Sequence, residues 1–156
     1  MKDKICVVGL GYVGLPLAVA LSKKFFTLGF DKNKERIKQL CGGLDINGEA
    51  KNKDLINRNL FFTNKKNKII NVNIFIICVP TPVKNKKPDL KYLISATKLV
   101  ASMLKFGNIV IYESTVYPGT TEEICCPILE KLSSLKFNKD FFSTTLHDVV
   151  CDIFPK

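Results

Sequence analysis

Metal-ligand patterns are missing from this sequence. His147 is the only histidine among 156 residues, and the six cysteines include no C-x-x-C pair. A structural zinc site needs four cysteine or histidine ligands, usually with pairs at such short spacings. We therefore expect no metal site, and we expect Cys6 and Cys78, which lie in apolar runs, to be core residues.

Long apolar runs are also missing. No segment approaches the roughly 18 apolar residues that a membrane-spanning helix requires. The run at residues 5–10 is too short and too rich in glycine for a secretory signal. A composition with 46% hydrophobic and 24% charged residues is typical of a globular domain. These features predict a cytoplasmic protein with no membrane partner.

The charge is strongly of one sign, with a formal net charge of +10. The lysines are scattered along the chain, and no stretch combines aromatic and basic residues as RNA-binding strands do. We interpret the charge as a solvated basic surface that favours an anionic ligand. No nucleic-acid partner is expected.

Apolar strands and helices alternate along the chain. Strands are predicted at residues 5–8, 25–30, 60–63, 74–79 and 109–112, with a sixth opening at residues 140–142. Helices are predicted at residues 15–21 and 34–40 and from residue 89 to about 104, while residues 44–60 form an irregular connection or short helices. The predicted class is α/β, a Rossmann-type doubly wound parallel sheet with helices on both faces.

The last predicted helix has two local signals. Thr120 and Glu123 have the spacing of a capping box, which predicts a helix that begins at Thr120. Pro127 lies inside that helix and is expected to kink it.

A glycine motif follows the first strand directly. Gly9, Gly11 and Gly14 match G-x-G-x-x-G, a weak signal alone but a strong one between a buried strand and an apolar helix. Gly9 would permit the tight turn, Gly11 would let a pyrophosphate approach the backbone, and Gly14 would let helix and strand pack closely. The pyrophosphate would lie on the amides of the helix N-terminus. This motif predicts dinucleotide binding.

Asp31 occupies the end of the second predicted strand, where the fingerprint requires an acid. Its carboxylate would accept both adenosine-ribose hydroxyls and repel a 2′-phosphate, so the predicted cofactor is NAD and not NADP. The alternative role is a cap on the helix that begins near Lys34.

With these segments in order, the chain resembles the UDP-glucose/UDP-N-acetylhexosamine 6-dehydrogenase family. The resemblance covers residues 4 to about 142 and includes V-P-T-P-V at 79–83, P-D-L at 88–90 and E-S-T-V-Y-P-G-T-T-E-E at 113–123. Its V-P-T-P and E-S-T-V-Y-P-G-x-T-E-E blocks are far more specific than the glycine motif. Glu113 and Tyr117 favour the branch that acts on UDP-N-acetylhexosamines over the UDP-glucose branch.

The resemblance implies site residues as well. The NAD contacts of the family fall on Gly9, Gly11, Tyr12, Val13, Gly14, Asp31, Arg36, Pro80, Thr81 and Thr115. Thr115 also has a supporting catalytic role, because it matches the threonine that hydrogen-bonds water or substrate. Read from the residues alone, Thr81 and Thr115 would be turn-stabilising hydroxyls.

By the same resemblance, full-length members oxidise the C6 alcohol of a UDP-sugar to a carboxylate with two NAD⁺ and a cysteine that holds the aldehyde. The resemblance also allows full-length members to be oligomers. The catalytic glutamate, lysine and cysteine lie beyond the segment that matches, and residues 143–156 match nothing of the family, which indicates a frameshift or a truncation. We assign residues 1–142 to the NAD-binding domain and residues 143–156 to an unmatched tail. A Cys/His nucleophile formed by Cys151 and His147 is disfavoured.

The leading hypothesis is the NAD-binding domain of a UDP-N-acetylhexosamine or UDP-glucose 6-dehydrogenase of surface-polysaccharide biosynthesis, inactive alone. It would use a UDP-sugar only if the missing half is supplied. One alternative is a stand-alone NAD-binding module with a sensing or partner role, or half of a split dehydrogenase. Another is an NAD-dependent dehydrogenase of the 3-hydroxyacid type, which shares the glycine motif but not the block at residues 113–123.

Overall fold

A computed structural model describes residues 3–84 and 87–145, which form a six-stranded parallel sheet. The strands of this sheet are β1 (Lys4–Val8), β2 (Phe26–Phe30), β3 (Leu60–Thr63), β4 (Ile74–Ile77), β7 (Ile109–Tyr112) and β8 (Phe142–Thr145). A two-stranded antiparallel ribbon, β5 (Val83–Lys84) with β6 (Lys87–Pro88), follows β4. The spatial order of the strands in the sheet is β3-β2-β1-β4-β7-β8, and the order reverses between β1 and β4. The predicted Rossmann-type topology is confirmed.

Helices cover both faces of the sheet. They are α1 (Gly14–Ser22), α2 (Lys34–Cys41), the short α3 (Asn52–Leu55), α4 (Lys91–Ala101) and α5 (Cys126–Ser133). Alternation along β1 separates two cores: Ile5 and Val7 pack with α1 and α2, whereas Cys6 and Val8 pack with α4 and α5. Residues 5–8 of β1 are buried on both faces of the sheet, so this part of the strand is an unbroken apolar run.

Cys6 and Cys78 are buried, at 0% and 8% exposure, as their apolar surroundings predict. Burial raises the pKa of both thiols, to about 12 for Cys78, where the charge of Glu113 adds to the effect. A thiol with such a pKa stays protonated at neutral pH, so neither is an activated nucleophile.

The predicted capping box at Thr120 is wrong. Thr120 has helical backbone angles, φ −58° and ψ −39°, and its hydroxyl donates to the carbonyl of Tyr117 at 2.7 Å. A cap requires an extended residue whose side chain accepts from the next amides. Gly119, at φ +87°, makes the turn into the helix instead.

Pro127 lies in the first turn of α5 and not inside one continuous helix. The preceding segment Thr121–Cys125 is a π-helix that passes directly into α5. This π-helix is a departure from regular α-helical geometry on the N-terminal side of Pro127. The kink at Pro127 stays a prediction.

The last strand, β8, pairs in parallel with β7 as the predicted sixth strand. It extends to Thr145, three residues past the boundary that we place at residue 142. No helix within residues 3–84 and 87–145 is long and apolar enough to cross a bilayer.

Candidate functional site

A cleft of about 900 Å³ opens at the carboxyl ends of the parallel strands. Its floor is the turn after β1, and its walls come from the ends of β2, β4 and β7 and from α4. The strand order reverses at this point, which is where open α/β sheets bind their ligands. Eight of the ten predicted cofactor residues line the cleft: Gly9, Gly11, Tyr12, Val13, Asp31, Pro80, Thr81 and Thr115.

The glycine loop has the backbone geometry that its sequence predicts. Gly9 adopts φ +98°, and a Cβ there would lie 2.5 Å from the carbonyl oxygen of Cys78. A Cβ on Gly14 would overlap the Gly9 carbonyl oxygen and press on the Cys78 side chain. Only residues without a side chain permit this turn and this approach of α1 to the sheet.

Gly11 is different, because nothing in the described part of the chain lies within 4 Å of a Cβ placed on it. Its φ is not positive either, so neither the backbone nor the packing demands glycine. Val13, at the N-cap of α1, makes no side-chain capping bond among the described residues. An exposed glycine beside an uncapped helix N-terminus is a suitable place for an anionic group.

The Asp31 carboxylate is held in position on both sides. Oδ2 accepts from the backbone N–H of Leu10 at 3.0 Å, and Oδ1 accepts from the N–H of Asn33 at 2.8 Å. The cap of α2 is Asn33, whose side chain accepts from the amides of Glu35 and Arg36. The alternative role of Asp31 as that cap is therefore wrong.

Arg36 lies behind the glycine loop and not in the main cleft. Its Nε–H donates to the Leu10 carbonyl at 3.2 Å, and its Nη1 forms an ion pair with Asp45 at 2.6 Å. The side chain is 8% exposed, and Nη2 is buried with no hydrogen-bond partner among the described residues. Arg36 also borders a second, smaller cavity of about 290 Å³, which it shares with Gly11 and Asp31.

Asp45 is a supporting residue that the sequence reasoning missed. Its carboxylate accepts from the Arg36 guanidinium and from three backbone amides of the following turn, at residues 47, 49 and 50. Desolvation works to raise the pKa of this carboxyl, but the hydrogen bonds and the charge of Arg36 outweigh it, so the pKa is lowered overall. The D-I-N-G sequence at 45–48 is typical of a turn, but it gives no sign of the ion pair.

Thr81 and Thr115 join the loops after β4 and β7. The Thr81 hydroxyl donates to the backbone carbonyl of Thr115 at 2.5 Å, and the Ser114 hydroxyl donates to the carbonyl of Val79 at 2.7 Å. The loop-stabilising role of Thr81 is therefore present. Both threonines also border the cleft, so this role does not conflict with contact to a ligand.

Lysines surround the cleft, in agreement with a preference for anionic ligands. They are Lys32, Lys66, Lys91 and Lys98. The Lys32 ammonium lies 4.7 Å from the centre of the Tyr92 ring, so it connects the end of β2 to the first turn of α4. A cleft with a basic lining attracts a polyanionic ligand such as a dinucleotide.

From the sequence, a Cys/His nucleophile is disfavoured and no metal site is expected. Cys151 and His147 lie outside the described residues. Within the described ranges, no three histidine, cysteine, aspartate or glutamate side chains are grouped so that they could hold a metal ion.

Comparison with known proteins agrees with a dinucleotide-binding cleft. Residues 3–146 match the model of the UDP-glucose/GDP-mannose dehydrogenase family, NAD binding domain. The chain belongs to this family. It is 51% identical over 146 residues to the UDP-N-acetyl-D-glucosamine 6-dehydrogenase of Pseudomonas aeruginosa, a match that covers 92% of this chain and 35% of that protein.

Solved structures of the family superpose closely on the chain. The UDP-D-ManNAc dehydrogenase of Pyrococcus horikoshii gives a TM-score of 0.83 at 35% identity, over 91% of this chain and 35% of that one. A ternary complex of GDP-mannose dehydrogenase from Pseudomonas aeruginosa gives 0.82 at 28% identity, over 93% and 35%. The chain thus spans about a third of the length of these relatives, namely the NAD-binding domain of a nucleotide-sugar dehydrogenase.

Proposed function

We propose that this chain is the cofactor domain of a UDP-N-acetylhexosamine 6-dehydrogenase of surface-polysaccharide biosynthesis. The P. aeruginosa relative named for UDP-N-acetyl-D-glucosamine, at 51% identity, supports the sugar class. The block at 113–123, with Glu113 and Tyr117, supports the same branch. The domain corresponds to residues 1–142 with the rest of β8, and its cytoplasmic location remains a prediction.

The observation that carries the proposal is the arrangement of the glycine loop and Asp31. NAD would be held by Gly9, Gly11, Tyr12, Val13, Asp31, Pro80, Thr81 and Thr115, which line the cleft. Gly14 and Arg36 would support the loop from behind. Its pyrophosphate fits the open space at Gly11 beside the uncapped end of α1. The ribose of its adenosine would lie against the Asp31 carboxylate, which lines the cleft and has acceptor capacity beyond its two backbone hydrogen bonds.

Each predicted contact has a role that its chemistry allows. Backbone amides of the loop would bind phosphate oxygens, and Arg36 would hold the Leu10 carbonyl and so the shape of the loop. Thr81 and Thr115 would orient the nicotinamide half, with Thr115 in a supporting catalytic position. NAD itself supplies hydride acceptance, while this domain binds and orients it.

The test is a calorimetric titration of the chain with NAD and NADP side by side. The negative charge of Asp31 repels a 2′-phosphate, so NAD is expected to bind at least tenfold more tightly, roughly the effect of one like-charge contact. Equal or tighter binding of NADP would contradict the assignment of Asp31. Absence of binding to either cofactor would contradict the proposed function.

Catalysis by this chain alone is not expected. Oxidation of the sugar requires a base for the alcohol proton and a thiolate for the aldehyde, and the resemblance places both beyond residue 142. The measurement is NADH formation with UDP-N-acetylglucosamine, UDP-N-acetylgalactosamine and UDP-glucose. Turnover above background, in a preparation free of host dehydrogenases, would show that these residues already contain a complete catalytic site.

A further inference from the structure

Glu113 is a cleft residue to which the cofactor contacts assign no role. It follows β7 directly, and its backbone N–H donates to the carbonyl of Ile77 at 2.9 Å, which fixes it beside the end of β4. The preceding residue, Tyr112, is buried in the core under α4 and α5. By strand alternation Glu113 points to the opposite layer, where Cys78 lies.

The Glu113 carboxylate is incompletely satisfied by the protein. Its Oε2 is buried and has no hydrogen-bond partner in residues 3–84 and 87–145. Arg36–Asp45 is the salt bridge found in those same ranges, and it does not involve this carboxylate. Desolvation raises the pKa of Glu113, because water is removed without a compensating donor or cation. The carboxylate therefore keeps acceptor capacity that no described protein donor uses, at a residue that lines the cleft.

The position of Glu113 decides which part of a dinucleotide it meets. Asp31, at the end of β2, lies on one side of the point where the strand order reverses, and Glu113, at the end of β7, lies on the other. A dinucleotide in such a fold crosses this point with one nucleotide on each side. If the adenosine ribose is held by Asp31, the nicotinamide nucleotide lies over β4 and β7, beside Glu113.

The chemistry of the nicotinamide fits this carboxylate. The ring of NAD⁺ is a cation, and its carboxamide offers N–H donors, whereas the ring of NADH is neutral. A partly buried carboxylate interacts more strongly with a cation than a solvated one, because the surrounding dielectric is lower. We propose that Glu113 is a specificity-determining residue that favours oxidised over reduced cofactor by placing its charge beside the nicotinamide. This inference rests on the proposed NAD-binding function.

The test compares Glu113→Gln with the native chain by calorimetric titration of NAD⁺, NADH and ADP-ribose. Glutamine keeps the shape and removes the charge, so the ratio of NAD⁺ to NADH affinity is expected to fall by about tenfold, an effect typical of one charge contact in a cleft. ADP-ribose, which lacks the nicotinamide, is expected to bind equally to both proteins. Glu122→Gln removes the same charge at an exposed position outside the cleft and is expected to leave the ratio unchanged.

A second variant covers the case of poor folding. Glu113→Ala removes the charge and the acceptor, and the same fall in the ratio is expected from it. An unchanged ratio in the variants, with normal binding of ADP-ribose, would overturn this inference and leave the proposed function intact. A native chain that binds neither NAD⁺ nor ADP-ribose would overturn both.

Discussion

The two sides of the cleft differ in how far the protein satisfies the carboxylate that lines each of them. On the β2 side, both oxygens of Asp31 accept backbone N–H groups. Arg36, behind the loop, is bonded to Leu10 and Asp45, and its Nη2 is left without a partner among the described residues. On the β7 side, Oε2 of Glu113 has no partner among the described residues. Polar groups that are already held in position bind a ligand without a cost for reorganisation. A polar group without a partner gains more free energy from a hydrogen bond or charge contact with the ligand. We infer that the β2 side anchors the dinucleotide and that the β7 side distinguishes its oxidised from its reduced nicotinamide.

The largest expected effect comes from Gly11→Val, on the anchoring side. A Cβ at this position has no atom of the described residues within 4 Å, and the valine side chain would fill the space assigned to the pyrophosphate, so NAD binding should be lost while the fold persists. Circular dichroism checks the fold and calorimetry checks binding. Gly42→Val, at a glycine with a φ of −81° that lines neither cavity, is the matched control for binding. Normal NAD affinity of the Gly11 variant would show that the phosphates lie elsewhere.

Asp45→Asn tests how the anchoring side is built. Loss of the carboxylate leaves the buried Arg36 charge uncompensated, which should lower the free energy of unfolding by about 3–5 kcal/mol. Asp54→Asn, in the same part of the chain, should change it by less than about 0.5 kcal/mol. Urea denaturation measures both. Similar stabilities of the two variants would mean that the Arg36–Asp45 pair does not stabilise the loop.

The same pair predicts a pH dependence. The pKa of Asp45 is lower in the folded than in the unfolded chain, so its contribution is complete above the unfolded value of about 4. It declines as the pH falls through the lower folded value. The difference in stability between the native chain and Asp45→Asn should therefore be constant near neutrality and shrink below about pH 4. A difference that grows on acidification would contradict this assignment.

Asp31→Ala should abolish the preference for NAD over NADP, a change of about tenfold in the affinity ratio. Its effect on stability should be smaller than that of Asp45→Asn, since Asp31 is partly exposed and no ion pair depends on it in the described ranges. Parallel titrations with the two cofactors measure the ratio. A variant that still discriminates as the native chain does would show that another group excludes the 2′-phosphate.

The smallest effect is expected at Thr81, on the β7 side. Thr81→Val removes the hydrogen bond to the Thr115 carbonyl, which should cost about 1 kcal/mol of stability. NAD affinity should fall by less than about tenfold. Thr81→Ser retains the hydroxyl and is the control. If stability falls and affinity does not, Thr81 joins the loops without contacting the cofactor.

The fold was predictable because its signals are local. Apolar runs such as residues 74–77 define buried strands, and Gly9 with its positive φ marks the turn before α1. The capping box failed because Thr120 continues the helical backbone after Gly119, a choice that depends on the tertiary turn and not on the Thr/Glu spacing.

The site was only partly predictable. Gly11 and Asp31 belong to a motif of fixed spacing, so the sequence located them. The Arg36–Asp45 pair joins a helix to a segment without periodicity, and no local pattern announces such a contact. The sequence singled out Glu113 only because its block resembles that of the family. That its Oε2 is buried without a hydrogen-bond partner among the described residues depends on the tertiary arrangement at the ends of β4 and β7, which no local pattern indicates.

The binding mode of the dinucleotide is tested most directly by a crystal structure of the chain with NAD⁺. The pyrophosphate should lie at Gly11 on the N-terminus of α1, the adenosine ribose should contact the Asp31 carboxylate, and the nicotinamide should lie over the ends of β4 and β7 beside Glu113. A cofactor bound in the opposite direction, or outside this cleft, would contradict it.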